Sequence, residues 1–283
     1  MRIGSGHHGT ARRDVEAAIE PAIPGPPRFQ FLRVLFALIA RETATRYSRG
    51  SGGYLWAVAT PSLQILVMSF VFALMFRTPS LGNSFILFYT TGYLPFHMYL
   101  MIQNDVMGAV KVNRALMQYP AVTPVDAMLS RAVLGFLTQI VITTVILTGA
   151  IQSTDTPVNL DLAKMALALL TAAFLGLGVG SVNCVLIAFF PTWERFWMIM
   201  TTPLFIISAI LFLYEEAPPV FQGMLWFNPL VHVTATMRSG VFGAYPAAFA
   251  ELIYVWSISS VAAILGFYMA RRHRSKLVNP RYR

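Results

Sequence analysis

Long apolar runs alternate with short polar ones along most of the chain, the pattern of a multi-span membrane protein. Six runs have the length to cross a hydrocarbon core: 55–76, 85–103, 131–151, 162–190, 196–214 and 252–270. Several hold helix breakers, among them Pro61, Pro95, Pro203 and Gly178. Such residues survive in membranes where neighbouring helices satisfy the freed backbone groups. Gly176 and Gly180 form a G-x-x-x-G pair, which allows close helix approach. Packing within one bundle and a seam between two copies are both open readings of it.

Two segments break the pattern. Over 29–50, Phe29, Leu32, Leu35, Phe36 and Ile39 recur at helical spacing, with Arg33, Arg41 and Arg46 interleaved. This stretch is too charged to span and suits an amphipathic helix lying in the membrane interface. The polar residues 1–28 before it, rich in Gly, Pro, Arg and Glu, read as a disordered cytoplasmic tail rather than a signal peptide. The second segment, 215–251, is long for a loop yet apolar, with Val220, Phe221, Met224, Leu225, Trp226 and Phe227. Left in water it would form a large adhesive patch.

Composition sharpens the class. Of 283 residues, 56% are hydrophobic and only 12% charged, about half the charge of a soluble domain. The net charge of +9 would suggest nucleic acid in a soluble protein. Here the cations sit beside the spans: eight of the Lys and Arg lie up to Arg49, three between Lys111 and Arg131, then Arg195, and six from Arg271 onward. Only Arg77, Lys164 and Arg238 fall on the opposite side. The positive-inside rule then puts both termini in the cytoplasm, which requires an even number of spans. The expected fold is all-α, six transmembrane helices in one domain, with no nucleic-acid partner. Cys184 is the sole cysteine, so no disulfide forms within the chain.

Chemistry is mostly excluded. The sequence has no G-x-x-x-x-G-K-[ST], no H-E-x-x-H and no G-x-S-x-G. Its five histidines are scattered. Ion-coupled transporters carry carboxylates deep in their spans; the nearest candidate here, Asp105, sits at a span end and reads as solvated. Neither catalysis nor ion coupling has a seat, so energy for transport would come from elsewhere.

Three segments carry a resemblance. They are Arg41-Glu42 to Arg46-Tyr47 with Gly53-Tyr54-Leu55-Trp56 and Pro61; Val112-Asn113-Arg114-x-Leu116 with Pro120, Pro124-x-Asp126 and Arg131; and Asn228-Pro229-Leu230-x-His232 with Arg238-Ser239-Gly240. In order and spacing the chain, from Phe29 to Tyr268, resembles permease subunits of type-2 ABC exporters, in particular those of capsular polysaccharide in Gram-negative bacteria. O-antigen and teichoic acid permeases share this grammar.

The resemblance implies a bacterial inner-membrane transport subunit, not an enzyme, working as two permeases with two separate ATPase subunits. ATP and Mg would be bound by the ATPase and no cofactor by this chain. It implies that 29–50 is an interface helix on the ATPase, with Arg41, Glu42 and Arg46. Asn113–Asp126 would be a short coupling helix in an ATPase cleft, with Asn113, Arg114 and Leu116; an ordinary loop is the alternative. The segment 215–251 would hold a re-entrant periplasmic hairpin turning at Asn228-Pro229. Phe227, Asn228, His232 and Arg238 would form an upper gate there, with Arg238 snorkelling to the surface. A loop packed on the bundle is the alternative. The substrate would be a lipid-linked glycan, with membrane lipids, a periplasmic co-polymerase and outer-membrane export proteins as further partners.

Tyr89, Tyr93 and Phe96 share one helix face, and with Trp56 they could line a glycan path, since rings stack on sugars. A core aromatic stripe, with Trp56 an interfacial anchor, is the other reading. Competing functions are export of a drug or small lipid, a membrane enzyme acting on lipid-linked sugars, or a structural assembly subunit.

Overall fold

The computed structural model describes residues 30–47, 53–118 and 122–278. The tail expected at 1–28, and Pro120, lie outside them. The chain divides into two units, Met1–Arg33 and Val34–Arg283, and the second carries the architecture below apart from the first turn of its first helix. All regular structure among the described residues is helical. The α-helices are α1 (Gln30–Tyr47), α2 (Gly53–Met75), α3 (Phe85–Met107), α4 (Ala109–Val112), α5 (Pro124–Gln152), α6 (Leu162–Phe189), α7 (Trp193–Ile207), α8 (Pro219–Trp226), α9 (Pro229–Val241), α10 (Leu252–Arg272) and α11 (Arg274–Val278).

Five described helices, α2, α3, α5, α6 and α10, are long and apolar enough to cross a membrane. The expected continuous helix over 196–214 is corrected: α7 has 15 residues and stops at Ile207. At about 1.5 Å per residue it covers roughly 22 Å of a hydrocarbon core about 30 Å thick. Beyond it the chain runs irregularly until a 3₁₀ turn at Tyr214–Glu216, and Ala209 adopts a left-handed φ of 53°.

The expected start of the third span at 131 is also corrected. Helix α5 begins at Pro124, where Thr123 and Asp126 form a reciprocal capping box and proline supplies a pre-set first turn. These extra two turns carry Arg131 into the helix rather than leaving it at the mouth.

Helix α3 is the spine. It packs against α2, α5, α6 and α9, while α10 packs on α6. Glycines set how closely these helices approach. A Cβ on Gly176 would lie 2.9 Å from the Tyr99 carbonyl oxygen of α3, and one on Gly180 would lie 2.8 Å from that of Gln103. The G-x-x-x-G pair therefore serves packing inside the bundle. Gly178, on the other face of α6, meets the Ser259 backbone of α10 in the same way. The apolar residues left outside, such as Leu63, Phe70 and Leu74 of α2 or Ile253 and Ile264 of α10, give the lipid-compatible surface that a bundle in a bilayer needs.

Candidate functional site: an ion cluster and a clamped helix break

Two polar constructions sit at opposite ends of the bundle. The first joins α1, α3 and α5. The Arg131 guanidinium has Nε 3.3 Å from Glu42 Oε1 and Nη2 3.4 Å from Asp105 Oδ1, and all three side chains are about nine-tenths buried. Asp105 is thus held in an ion pair, which corrects the expectation of a solvated carboxylate. Its partner lies 26 residues away in sequence, out of reach of any local reading. Gly135, one turn beyond Arg131, leaves room for the carboxylate: a Cβ there would be 3.1 Å from Asp105 Oδ2.

Helix α1 presents a narrow buried stripe to the bundle. Leu38 and Glu42, four residues apart, are buried, whereas Phe36 of the expected apolar stripe is 67% exposed. Arg41 is exposed, and its Nη1 donates to Asn113 Oδ1 at 3.3 Å. Asn113 in turn donates from Nδ2 to the Ala109 carbonyl. Arg46 belongs to α1, and its side chain lies outside the described residues.

The single coupling helix expected over Asn113–Asp126 is replaced by a tight turn after α4 and a 3₁₀ turn, Leu116–Gln118. Asp126 caps α5 instead of belonging to that segment. Arg114 and Leu116 are half-buried. Two links bring further elements to this end: Lys111 pairs with Glu194 of α7 at 3.5 Å, and Arg274 Nη2 donates to the Val122 carbonyl at 3.0 Å.

In the middle of the bundle, Tyr89 and Tyr93 stack with centroids 5.6 Å apart, and Phe96 meets Phe205 of α7 edge-on at 5.4 Å. All three residues on α3 are buried within the single chain. The Tyr93 hydroxyl donates to Gln64 Oε1 of α2 at 2.8 Å, and His97 bonds Gln139 of α5. Trp56 stands apart from them, exposed on α2.

The second construction is at the break after α7. Asn228 caps α9 by accepting from the Leu230 N–H, and its Nδ2 donates to the Ile207 carbonyl at 3.0 Å and to Ser208 Oγ at 3.2 Å. Thr234 Oγ1 donates to the Ser208 carbonyl at 3.2 Å. Arg238 Nη1 donates to the carbonyls of Ala209 at 2.7 Å and Phe212 at 2.9 Å, and Nη2 to that of Ile210 at 2.7 Å. Its guanidinium carbon lies 4.3 Å from the centroid of the Phe88 ring, a cation–π contact.

At 1% exposure, Arg238 does not snorkel. The carbonyls released where the helix ends need donors, and a guanidinium supplies a fork of them.

His232 is fixed as a neutral imidazole. The Glu251 N–H donates to Nδ1 at 3.1 Å, so Nε2 carries the proton and donates to the Trp226 carbonyl at 2.8 Å. Phe227, between α8 and α9, is 69% exposed, while its carbonyl accepts from the Tyr254 hydroxyl. An apolar groove of about 550 Å³ runs between the end of α7 and α8, lined by Ile206, Ile207, Phe212, Phe221 and Met224.

The sequence profile of the ABC-2 type transporter family matches residues 33–242, and the chain belongs to this family. It is 27% identical over 242 residues to the polysialic acid transport protein KpsM of Escherichia coli, covering 86% of this chain and 94% of the relative. It is 29% identical over 256 residues to the capsule polysaccharide export inner-membrane protein CtrC of Neisseria meningitidis serogroup B, covering 88% and 93%. The corresponding figures for the capsule polysaccharide export inner-membrane protein BexB of Haemophilus influenzae are 27% over 257 residues, 88% and 93%.

Proposed function

We propose that the chain is the permease subunit of an exporter that moves a capsular polysaccharide on a lipid anchor across the bacterial inner membrane, driven by a separate ATPase. The observation that carries this reading is the near full-length similarity to three relatives named for capsule or polysialic acid export. The absence of a nucleotide-binding loop from the sequence supports a separate ATPase.

In this reading α1 is the interface helix, with Arg41, Glu42 and Arg46 toward the ATPase side. Asn113, Arg114 and Leu116 form the coupling turn. Helix α7 and the irregular stretch after it make a sixth crossing, so both termini are cytoplasmic. Helices α8 and α9 form a re-entrant hairpin whose Phe227, Asn228, His232 and Arg238 belong to an upper gate. Two permeases enclose the glycan path, since closed two-fold assembly is the common solution, and Tyr89, Tyr93, Phe96 and Trp56 are its candidate lining. ATP and Mg are held by the two ATPase subunits, and the glycan passes on to periplasmic and outer-membrane export proteins.

The test is reconstitution in proteoliposomes with the ATPase. Glycan accumulation should depend on ATP, on this chain and on the ATPase together. Glycan movement without the ATPase, or cleavage of lipid-linked sugar by the chain alone, would overturn the reading.

A further inference from the structure

Where α7 ends, five of the six carbonyls from Ile207 to Phe212 accept hydrogen bonds from side chains of α9 and its cap. Asn228 takes Ile207, Thr234 takes Ser208, and Arg238 takes Ala209, Ile210 and Phe212. Thr234 and Arg238 are four residues apart and share a face of α9. Asn228 is the cap of the same helix. Helix α9 thus carries a strip of donors matched to the broken end of α7.

The third wall is α3. A Cβ at Gly92 would fall 2.8 Å from Arg238 Nη2 and 3.0 Å from the Ile210 carbonyl oxygen. Only glycine admits both groups there. Phe88, one turn earlier, covers the guanidinium face. The arrangement needs a planar fork with several donors, and an ammonium at the same place would be a single point.

We propose that Arg238 is a positioning residue that joins the end of α7 and helix α9 into one mechanical body, seated on α3 at Gly92. When the exporter cycles, this body shifts on α3 as a unit and carries α8 and the Asn228 turn with it, rather than the hairpin flexing alone. The cycle rests on the export reading above; the clamp does not.

The test uses spin labels at Ile206 on α7 and Ala244, in the turn that follows α9, in a Cys184→Ala background. Both positions are exposed. In the complex with its ATPase, the distance between the labels should be narrowly distributed and unchanged between the nucleotide-free and ATP-trapped states. Arg238→Lys should broaden it and remove most export while ATP hydrolysis continues. Gly92→Ala should broaden it from the opposite wall.

A wild-type distance that shifts on trapping would overturn the proposal, because α7 and α9 would then move separately. So would Arg238→Lys and Gly92→Ala proteins with an unaltered distribution and full export. Should Arg238→Lys fail to fold, the wild-type comparison still decides. If the wild-type complex hydrolyses no ATP, the export reading fails, and the nucleotide-free distributions of wild type, Arg238→Lys and Gly92→Ala still decide whether the clamp exists.

Discussion

Arg131 Nε lies 3.3 Å from Glu42 Oε1, so α1 is tied to α5 by a buried ion pair rather than by a broad apolar seam. Beside it on α1, Leu38 adds the neighbouring buried contact. Out of water, opposite charges at this distance attract strongly, so the pair holds α1 against α5.

The first prediction concerns that link. Glu42→Gln keeps the shape and leaves Arg131 its second partner, Asp105. The variant should fold and its complex should hydrolyse ATP, while glycan exported per ATP falls severalfold. Paired hydrolysis and uptake measurements on the same proteoliposomes check this; an unchanged ratio would count against a coupling role for the Glu42–Arg131 pair.

Removing the central cation should be costlier. Arg131→Ala leaves Glu42 and Asp105 buried without the charge between them, and breaking one side of a buried pair costs about 3–5 kcal/mol. The predicted loss is in stability first, read as a lower unfolding temperature in detergent. Asp105→Asn in the Arg131→Ala background should recover part of it by removing one of the two like charges. No recovery would mean that packing of the Arg131 stem, not charge, holds this end together.

A third prediction tests the glycine seam. Gly180→Val places branched carbons where even a Cβ would sit 2.8 Å from both the Gln103 carbonyl oxygen and Val106 Cβ. Overpacking of this kind costs about 1–3 kcal/mol. The same substitution at Gly149, whose Cβ would meet nothing within 4 Å, should change the detergent unfolding temperature little. Equal effects at the two positions would contradict the α3–α6 contact.

How far the sequence could be read follows from what each feature depends on. Helices α2, α3, α5, α6 and α10 announce themselves, because apolar length alone demands a crossing. The glycine spacing of α6 is also local. The break after Ile207 is not: Ser208 to Leu213 is apolar apart from one serine, and hydropathy runs straight through it. What permits the break is a donor strip on α9, some 20 to 30 residues later in the chain.

For the same reason Arg238 is visible as a charge in an apolar segment, but its acceptors are not. Without them, snorkelling is the default expectation. Asp105 is misread likewise, since its partner Arg131 lies 26 residues away in sequence. Asn228 and His232 also serve backbone groups, Asn228 at Ile207 and Leu230 and His232 at Trp226 and Glu251.

The last prediction concerns Phe227 and the hairpin. In the export reading α8 and α9 dip into the outer leaflet, and Phe227 is exposed in the single chain because it faces lipid or the second permease. Its own backbone is held: the carbonyl accepts from Tyr254, and the ring meets Trp226 edge-on with centroids 5.7 Å apart. Phe227→Asp should therefore leave the fold of one chain intact, yet place a carboxylate in hydrocarbon or in a packed seam. Translocon-insertion scales put a carboxylate at the centre of a span at about 2.5–3.5 kcal/mol, and even a fraction of that nearer the surface would shift the hairpin outward and cut export.

Phe227→Leu should keep export, because it keeps the apolar surface. A spin label at Phe227 should be shielded from a water-soluble relaxation agent and reached by oxygen, which partitions into lipid. Full accessibility to the water-soluble agent, together with normal export by Phe227→Asp, would make α8 and its turn a surface loop. The upper gate would then have to be sought in the α7 break and α9 alone.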